Sequence, residues 1–420
     1  MERKNRNKSE RFERIPFLSL SPTSTTQYYR IFDKQVGDFL KPKFKLKCGT
    51  EVAQKPPTFR EHSGDLSPNA VRNLKRSVNT LLCGVDENIM IDGSGKDKIT
   101  FVTLTLSSEQ IKSISSDKIE YFADDKEIKS DCFNQLMTEL RQTKGVENYV
   151  WKAEKQLNGN LHFHILLDRK IEWYWLRERW NSLQNKFGFV DRYAEKMRKM
   201  TYQEYEALRL TEMKVFTDKH KRSKVEAIKK AWDYGVKTNW TDPNSTDIQT
   251  LKKVQNVASY ICKYMSKTSE NSKINSEKAR LSALYDLPPQ KVNVIFQILG
   301  RIWQCSQKIS KARKCVVYEE KEYNVELGNL IESEKSVKVI IDENATDEKE
   351  SYFTAILHTF KQLKTHCKTI YETFISHIKA HFDNAVNSVV STVGAVSSVP
   401  VLSTVQSSKF YQTRLQFSYG

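Results

Sequence analysis

The sequence predicts an α+β fold, a central antiparallel β-sheet with helices packed on it. Three observations carry this. "KITFVTLTLSS" (98–108) alternates Phe101, Thr103 and Thr105 with Val102, Leu104 and Leu106, which is the period of a strand. "ENYVWKAEKQLNGNLHFHILLD" (147–168) reads as two further strands joined by an Asn-Gly turn, which pairs them antiparallel. Helix signals lie around 131–143 and at "IEWYWLRERWNSLQNKFG" (171–188), the latter closed by Gly188. Strands and helices in this order build one α+β domain, with helices on one side of the sheet.

The other elements follow along the chain. Residues 1–65 read as a basic, mostly irregular N-terminal arm. A helix over 66–82 has Ser67 as its cap and Pro68 in its first turn. Its apolar residues Val71, Leu74, Val78 and Leu81 recur at helical spacing. "DGSGKD" (92–97) is a loop. It lacks the first glycine of a phosphate loop and has Asp97 where Ser or Thr is required, so it excludes an ATP-driven motor on this motif. "FVDRY" (189–193) reads as the start of a strand. Residues 192–250 form a charged, helical insertion with a loop at "TNWTDPNSTD". "LKKVQNVASYICKYMSK" (251–267) is a helix, and "KVNVIFQIL" (291–299) a strand leading into "GRIWQCSQ". The domain so outlined covers 66–315. Residues 316–420 form a C-terminal extension, helical over 351–384 and flexible over 385–409, a serine-rich, weakly polar stretch unsuited to a membrane span.

Lys and Arg outnumber Asp and Glu by 68 to 51, a net charge of +17. That balance suits a polyanionic partner, nucleic acid first and an anionic membrane surface second. The seven cysteines form no C-x-x-C pair, which predicts a reducing, cytosolic compartment rather than a disulfide framework. "MERKNRNKSERFERIP" has no apolar core and so predicts no secretory signal.

Two constellations carry chemistry. Strand alternation puts His162 and His164 on one face and Phe163 and Ile165 on the other. Two buried histidines bonded to neighbours would leave the same pattern, so H-F-H by itself leaves both readings open. The turn supplies a third group. A two-residue loop, Asn158-Gly159, would point Glu154 away from the histidines. A three-residue loop, Leu157-Asn158-Gly159 with Gly159 left-handed, pairs Gln156 with Asn160 and puts Glu154 opposite His162. A two-His, one-carboxylate site with open positions accepts Mn²⁺ well and Mg²⁺ less readily, and its open positions can take phosphate oxygens.

The second constellation is "YICKYMSK" (260–267). Tyr260 and Tyr264 are four apart and share a helix face, as do Lys263 and Lys267. A packed aromatic stripe with solvated lysines is the plain alternative. A phenol is a weak nucleophile at neutral pH, and a polarised phosphate with lysines nearby makes its attack feasible.

Together these motifs resemble the HUH endonucleases, in particular the two-tyrosine rolling-circle replication initiators of small single-stranded DNA phages or plasmids. "FVTLTL" (101–106), "HFH" (162–164) with Glu154 ahead of it, and "YICKYMSK" stand in the order of that family's three motifs. The resemblance covers roughly 66–310. It implies the ferredoxin-like, RRM-like HUH sheet and one divalent cation, Mg²⁺ or Mn²⁺, held by Glu154, His162 and His164. It further implies that Tyr260 and Tyr264 alternate as nucleophiles on single-stranded origin DNA, each forming a 5′-phosphotyrosine and releasing a 3′ hydroxyl. Lys263 and Lys267 would neutralise phosphate charge, and Thr103 and Thr105 would be DNA contacts. The same resemblance implies a bacterial host's cytoplasm, with host helicase and DNA polymerase as partners and no membrane partner. Trp173, Trp175 and Trp180 fit either base stacking or helix packing. The rivals are a two-tyrosine transposase or plasmid relaxase, which shares the site, and a non-enzymatic nucleic-acid-binding protein, which has no use for the tyrosines.

Overall fold

Leu161–Leu167 is buried at every position because it is the middle strand of a five-stranded antiparallel sheet. The computed structural model describes residues 11–39, 44–45, 51–52, 66–115, 118–212, 218–248, 251, 256–266, 272–341 and 353–382. The chain divides into two units, Phe59–Ser310, and Met1–Thr58 with Lys311–Gly420. The fold is α+β.

In the Phe59–Ser310 unit the larger elements are α1 (Pro68–Val85), β1 (Thr100–Leu104), α2 (Asn134–Thr143), β2 (Tyr149–Lys155), β3 (Leu161–Leu167), α3 (Trp173–Gln184), α4 (Phe189–Arg198), α5 (Tyr202–Glu212), α6 (Asp218–Lys237), β4 (Thr246–Ile248), α7 (Val257–Met265), α8 (Ser272–Tyr285), α9 (Pro289–Phe296) and β5 (Trp303–Cys305). The strand order is β4-β1-β3-β2-β5. Helix α1 starts where its cap requires, with the Ser67 side chain accepting from the Ala70 amide and Pro68 at the first turn. Helix α7 is shorter than 251–267, since Asn256 caps it through the Ser259 amide.

Alternation sorts the side chains of β3. Phe163 stacks on Phe133, ahead of α2, at 4.1 Å between centroids and meets Trp180 of α3 at 6.2 Å. His162 and His164 point to the other face, where α1 and α7 lie. There Ser77 of α1 donates to Cys305 of β5, and Cys262 of α7 to Asn79 of α1. The expectation of helices on one side is therefore corrected. Both faces are covered, because the histidine face also carries buried Phe101, Leu166 and Val150, too much apolar surface to leave in water.

Two strand expectations become helices. Residues 189–193 open α4, where Phe189, Val190, Ala194 and Met197 are buried at helical spacing and the Asn185 side chain accepts from the Val190 and Asp191 amides. Residues 289–296 form α9. Pro289 fits the first turn, and Val292, Ile295 and Phe296 pack one face against Ile274 and Leu281 of α8.

In the other unit, the N-terminal arm is corrected over its described part. Phe12–Ser21 and Ser24–Asp33 form a hairpin in register from Phe12↔Asp33 to Ser21↔Ser24. Cys315–Tyr318 pairs with the first strand, and Phe353–Leu357 with the second, so the ends of the sequence share one sheet. Helices Lys321–Ser333, Phe360–His366 and Lys368–Phe382 accompany it, in line with a partly helical C-terminal extension. Residues 385–409 lie outside the described residues. Among the described residues no helix is long and apolar enough to cross a membrane, and all six described cysteines are free.

Candidate metal and tyrosine site

The turn between β2 and β3 fixes the site. The Gln156 amide donates to the Asn160 carbonyl and the Gly159 amide to the Gln156 carbonyl, both at 2.9 Å. This is the three-residue loop, with Gly159 at φ +79° in the left-handed region. A Cβ at Gly159 would also stand 2.8 Å from Cγ2 of Ile295. The register that results pairs His162 with Glu154 and His164 with Lys152. Glu154 thus lies on the histidine face.

One ligand atom from each of Glu154, His162 and His164 lies within 4.8 Å of the others. The imidazoles are 4.7 Å apart at 78°. His164 is held at both nitrogens, by Glu154 Oε1 at 2.9 Å from Nε2 and by Thr103 Oγ1 at 3.1 Å from Nδ1. Thr103, next to His164 on β1, is thereby an orienting contact of the histidine. Nδ1 of His162 is buried and meets no hydrogen-bond partner among the described residues. A buried lone pair of this kind is costly without a donor or a cation. The donor set of one carboxylate and two imidazoles, with that open nitrogen, fits a divalent metal.

The charges agree with this. Burial raises the Glu154 carboxyl, but the His164 hydrogen bond and the charges of His164, Lys152 and His162 outweigh it and leave it at about 2. Burial, helped by His164, pushes His162 down to about 3. The resting site is therefore an ionised carboxylate beside a neutral His162, the protonation that metal binding requires.

Lys152 was not among the residues read from sequence. Its ammonium is buried, 3% exposed, and donates to Glu154 Oε2 at 3.1 Å. Its signal was positional, two residues before Glu154 and so on the same strand face.

The tyrosines reach the same face from α7. Their rings lie 4.8 Å apart, Tyr264 is 6.4 Å from Phe101, and Phe101 stacks on His164 at 6.0 Å. Burial raises the Tyr260 phenol, aided by its hydrogen bond with Tyr264 and by the charge of Asp247. Asp247, another residue sequence reasoning passed over, pairs with Thr103 across β4. Lys263 is exposed on α7, and Lys267 lies outside the described residues. Thr105 turns its hydroxyl to the Ser245 carbonyl. Of the tryptophans, Trp180 is core and donates to the Thr105 carbonyl. Trp175 carries Lys144 over its ring, and Trp173 is 56% exposed.

Residues 99–269 match the family model of the replication-associated proteins of the ORF2 and gene II protein type. The matched span runs from just before β1 to just beyond α7, so it contains every residue named in the site. Over this span the chain is similar to replication-associated proteins, which supports a replication-initiator role. Among curated proteins and solved structures, none matches the chain.

Proposed function

We propose that the chain starts rolling-circle replication by nicking and rejoining single-stranded DNA at an origin. The observation that carries this reading is the convergence of a two-His, one-carboxylate cluster and a tyrosine pair on one sheet face. The replication-associated family match supports it.

In this reading Glu154, His162 and His164 hold one Mg²⁺ or Mn²⁺. The cation's contribution is to polarise a phosphodiester oxygen and draw off developing charge. His164 gives up the proton it shares with Glu154 and keeps its tautomer through Thr103. Lys152 stays against the far carboxylate oxygen and fixes Glu154 in place. A phenol oxygen of Tyr260 or Tyr264 attacks phosphorus. The O–P bond forms, the bond to the 3′ oxygen breaks, the phenol proton passes to solvent, and the 3′ oxygen takes up a proton. The product is a 5′-phosphotyrosine and a free 3′ hydroxyl that a host polymerase extends while a host helicase opens the duplex. The second tyrosine cuts the regenerated origin, and the released 3′ hydroxyl attacks the first phosphotyrosine to close a circle. Lys263 and Lys267 lower the charge around the phosphate.

The test is incubation with an origin-bearing oligonucleotide and Mn²⁺. The expected result is a covalent protein–DNA adduct on a denaturing gel, abolished by EDTA and by the double change Tyr260→Phe, Tyr264→Phe. An adduct that survives EDTA overturns the metal reading. DNA binding with no adduct on any origin sequence, unchanged by the tyrosine substitutions, favours a non-enzymatic binding protein.

A further inference from the structure

Beyond the site, β1 runs into a groove. Thr105, two residues or roughly 7 Å along the strand from Thr103, lines a hollow of about 890 Å³ walled by α4, α5, α6 and the turn at 240–244. Arg177, Arg192, Lys196, Arg209 and Lys230 line it against two carboxylates. A second hollow of about 520 Å³ shares Arg177, Tyr234 and Asp242 with the first and continues to Trp173 and Tyr174.

Arg192 carries the argument. Its guanidinium lies 3.6 Å over the Phe122 ring and 4.8 Å over Phe189, and Nη1 donates to the Phe187 carbonyl. Nε and Nη2 are buried and donate to nothing among the described residues. A clamped guanidinium with an open N–H edge in a basic hollow suits a phosphate, which accepts two parallel hydrogen bonds. The walls also offer π-faces: Tyr234 is 45% exposed, Trp173 56% and Tyr174 59%. Duplex DNA keeps its π-faces stacked inside, whereas a single strand presents them for stacking on aromatics.

We propose that this groove, built by the helical insertion, holds single-stranded DNA flanking the cleavage position, with a phosphate on the open edge of Arg192 and bases against Tyr234 and Trp173. The assignment gives the insertion a role that the three motifs do not, and it rests on the reading of the chain as an enzyme of single-stranded DNA.

The experiment uses the full chain carrying Tyr260→Phe and Tyr264→Phe, without added metal, so that no strand is cut. Fluorescence anisotropy of a labelled oligo-dT is followed across a KCl series. Arg192→Ala with Lys196→Ala and Lys230→Ala is expected to weaken binding at least tenfold and to flatten the salt slope by about 2, three phosphates at about 0.7 each. Tyr234→Ala is expected to weaken binding with the salt slope unchanged, the signature of stacking rather than charge. Lys196→Ala with Lys230→Ala alters only exposed side chains, so it reads the groove even where the Arg192 change disturbs folding. Unchanged affinity and slope in that variant and in Tyr234→Ala overturns the proposal, as does a blunt duplex competing as well as oligo-dT. The adduct assay separates this from the nicking chemistry. Weakened binding in a chain that forms no adduct leaves the groove standing and removes the nuclease; an adduct with unweakened groove variants does the reverse.

Discussion

The protein holds two histidine pairs of nearly the same shape in different surroundings. His162 and His164, on a strand, have rings 4.7 Å apart at 78°; His377 and His381, on the helix Lys368–Phe382, have rings 4.8 Å apart at 84°. Each pair has one buried nitrogen without a partner among the described residues, Nδ1 of His162 and Nε2 of His377. The difference lies in what faces them. Glu154 stands 2.9 Å from His164. The helical pair meets the backbone carbonyls of Ala312 and Lys311 and the charge of Lys311. Spacing of two on a strand and of four on a helix both bring imidazoles together. A carboxylate across the strand is what makes one of them a cation site.

The largest effect should follow from removing that carboxylate. Glu154→Ala is expected to weaken Mn²⁺ binding more than about 100-fold, since even outer-shell losses cost 10–100-fold. His377→Ala should leave Mn²⁺ binding unchanged. Calorimetric titration of each variant measures both, and equal losses would erase the distinction between the pairs. Next in size is Gly159→Ala. Its left-handed φ and the 2.8 Å approach to Ile295 resist a Cβ, so the change should cost about 1–3 kcal/mol in urea unfolding. It should also weaken Mn²⁺ binding, because the turn sets which face Glu154 occupies. No such turn governs the helical pair, whose spacing the helix fixes by itself.

Those two residues also mark what the sequence could disclose. The placement of Glu154 was legible because an Asn-Gly turn admits only a few loop lengths, and each length fixes a side-chain face. Helix α1 was legible through Ser67, Pro68 and its apolar spacing. The hairpin of residues 12–33 was not, because Pro16 falls inside the strand Phe12–Ser21 and proline argues against an interior strand. It is tolerated where the missing N–H is not needed; the Pro16 carbonyl still accepts from the Glu319 amide. Residues 291–299 misled because V-N-V-I-F alternates as well as it spirals, and the two prolines ahead of it were the better guide. The nearness of α7 to the histidines came only through the family resemblance, since no periodicity reports which helix covers which sheet face. Lys152 and Asp247 were missed for a related reason: each matters through its cross-strand neighbour.

A gain of function sharpens the comparison further. Lys311→Glu would set a carboxylate near His381 in place of an ammonium. The helical pair should then bind Co²⁺ about tenfold more tightly, which corresponds to about 1.4 kcal/mol, read by the visible absorption of the bound ion. No gain would mean that the backbone carbonyls, rather than the missing carboxylate, keep the pair from serving as ligands.

The smallest effect is on acid stability. Burial lowers both His377 and His381, with His381 adding to the first and Lys311 to the second. In the same unit burial takes His358 down to about 4. A histidine lowered in the folded state is protonated first in the unfolded chain. Its stabilising contribution is therefore complete above about 6.5, the ordinary histidine value, and is lost as pH falls toward the folded value. Urea midpoints should accordingly drop between pH 7 and pH 5 in the parent protein. With His377→Gln and His381→Gln the drop should be smaller but still present, since His358 continues to titrate over the same range. A drop of undiminished size would mean that the helical pair takes up its protons as readily when folded as when unfolded, and that its burial carries no electrostatic cost.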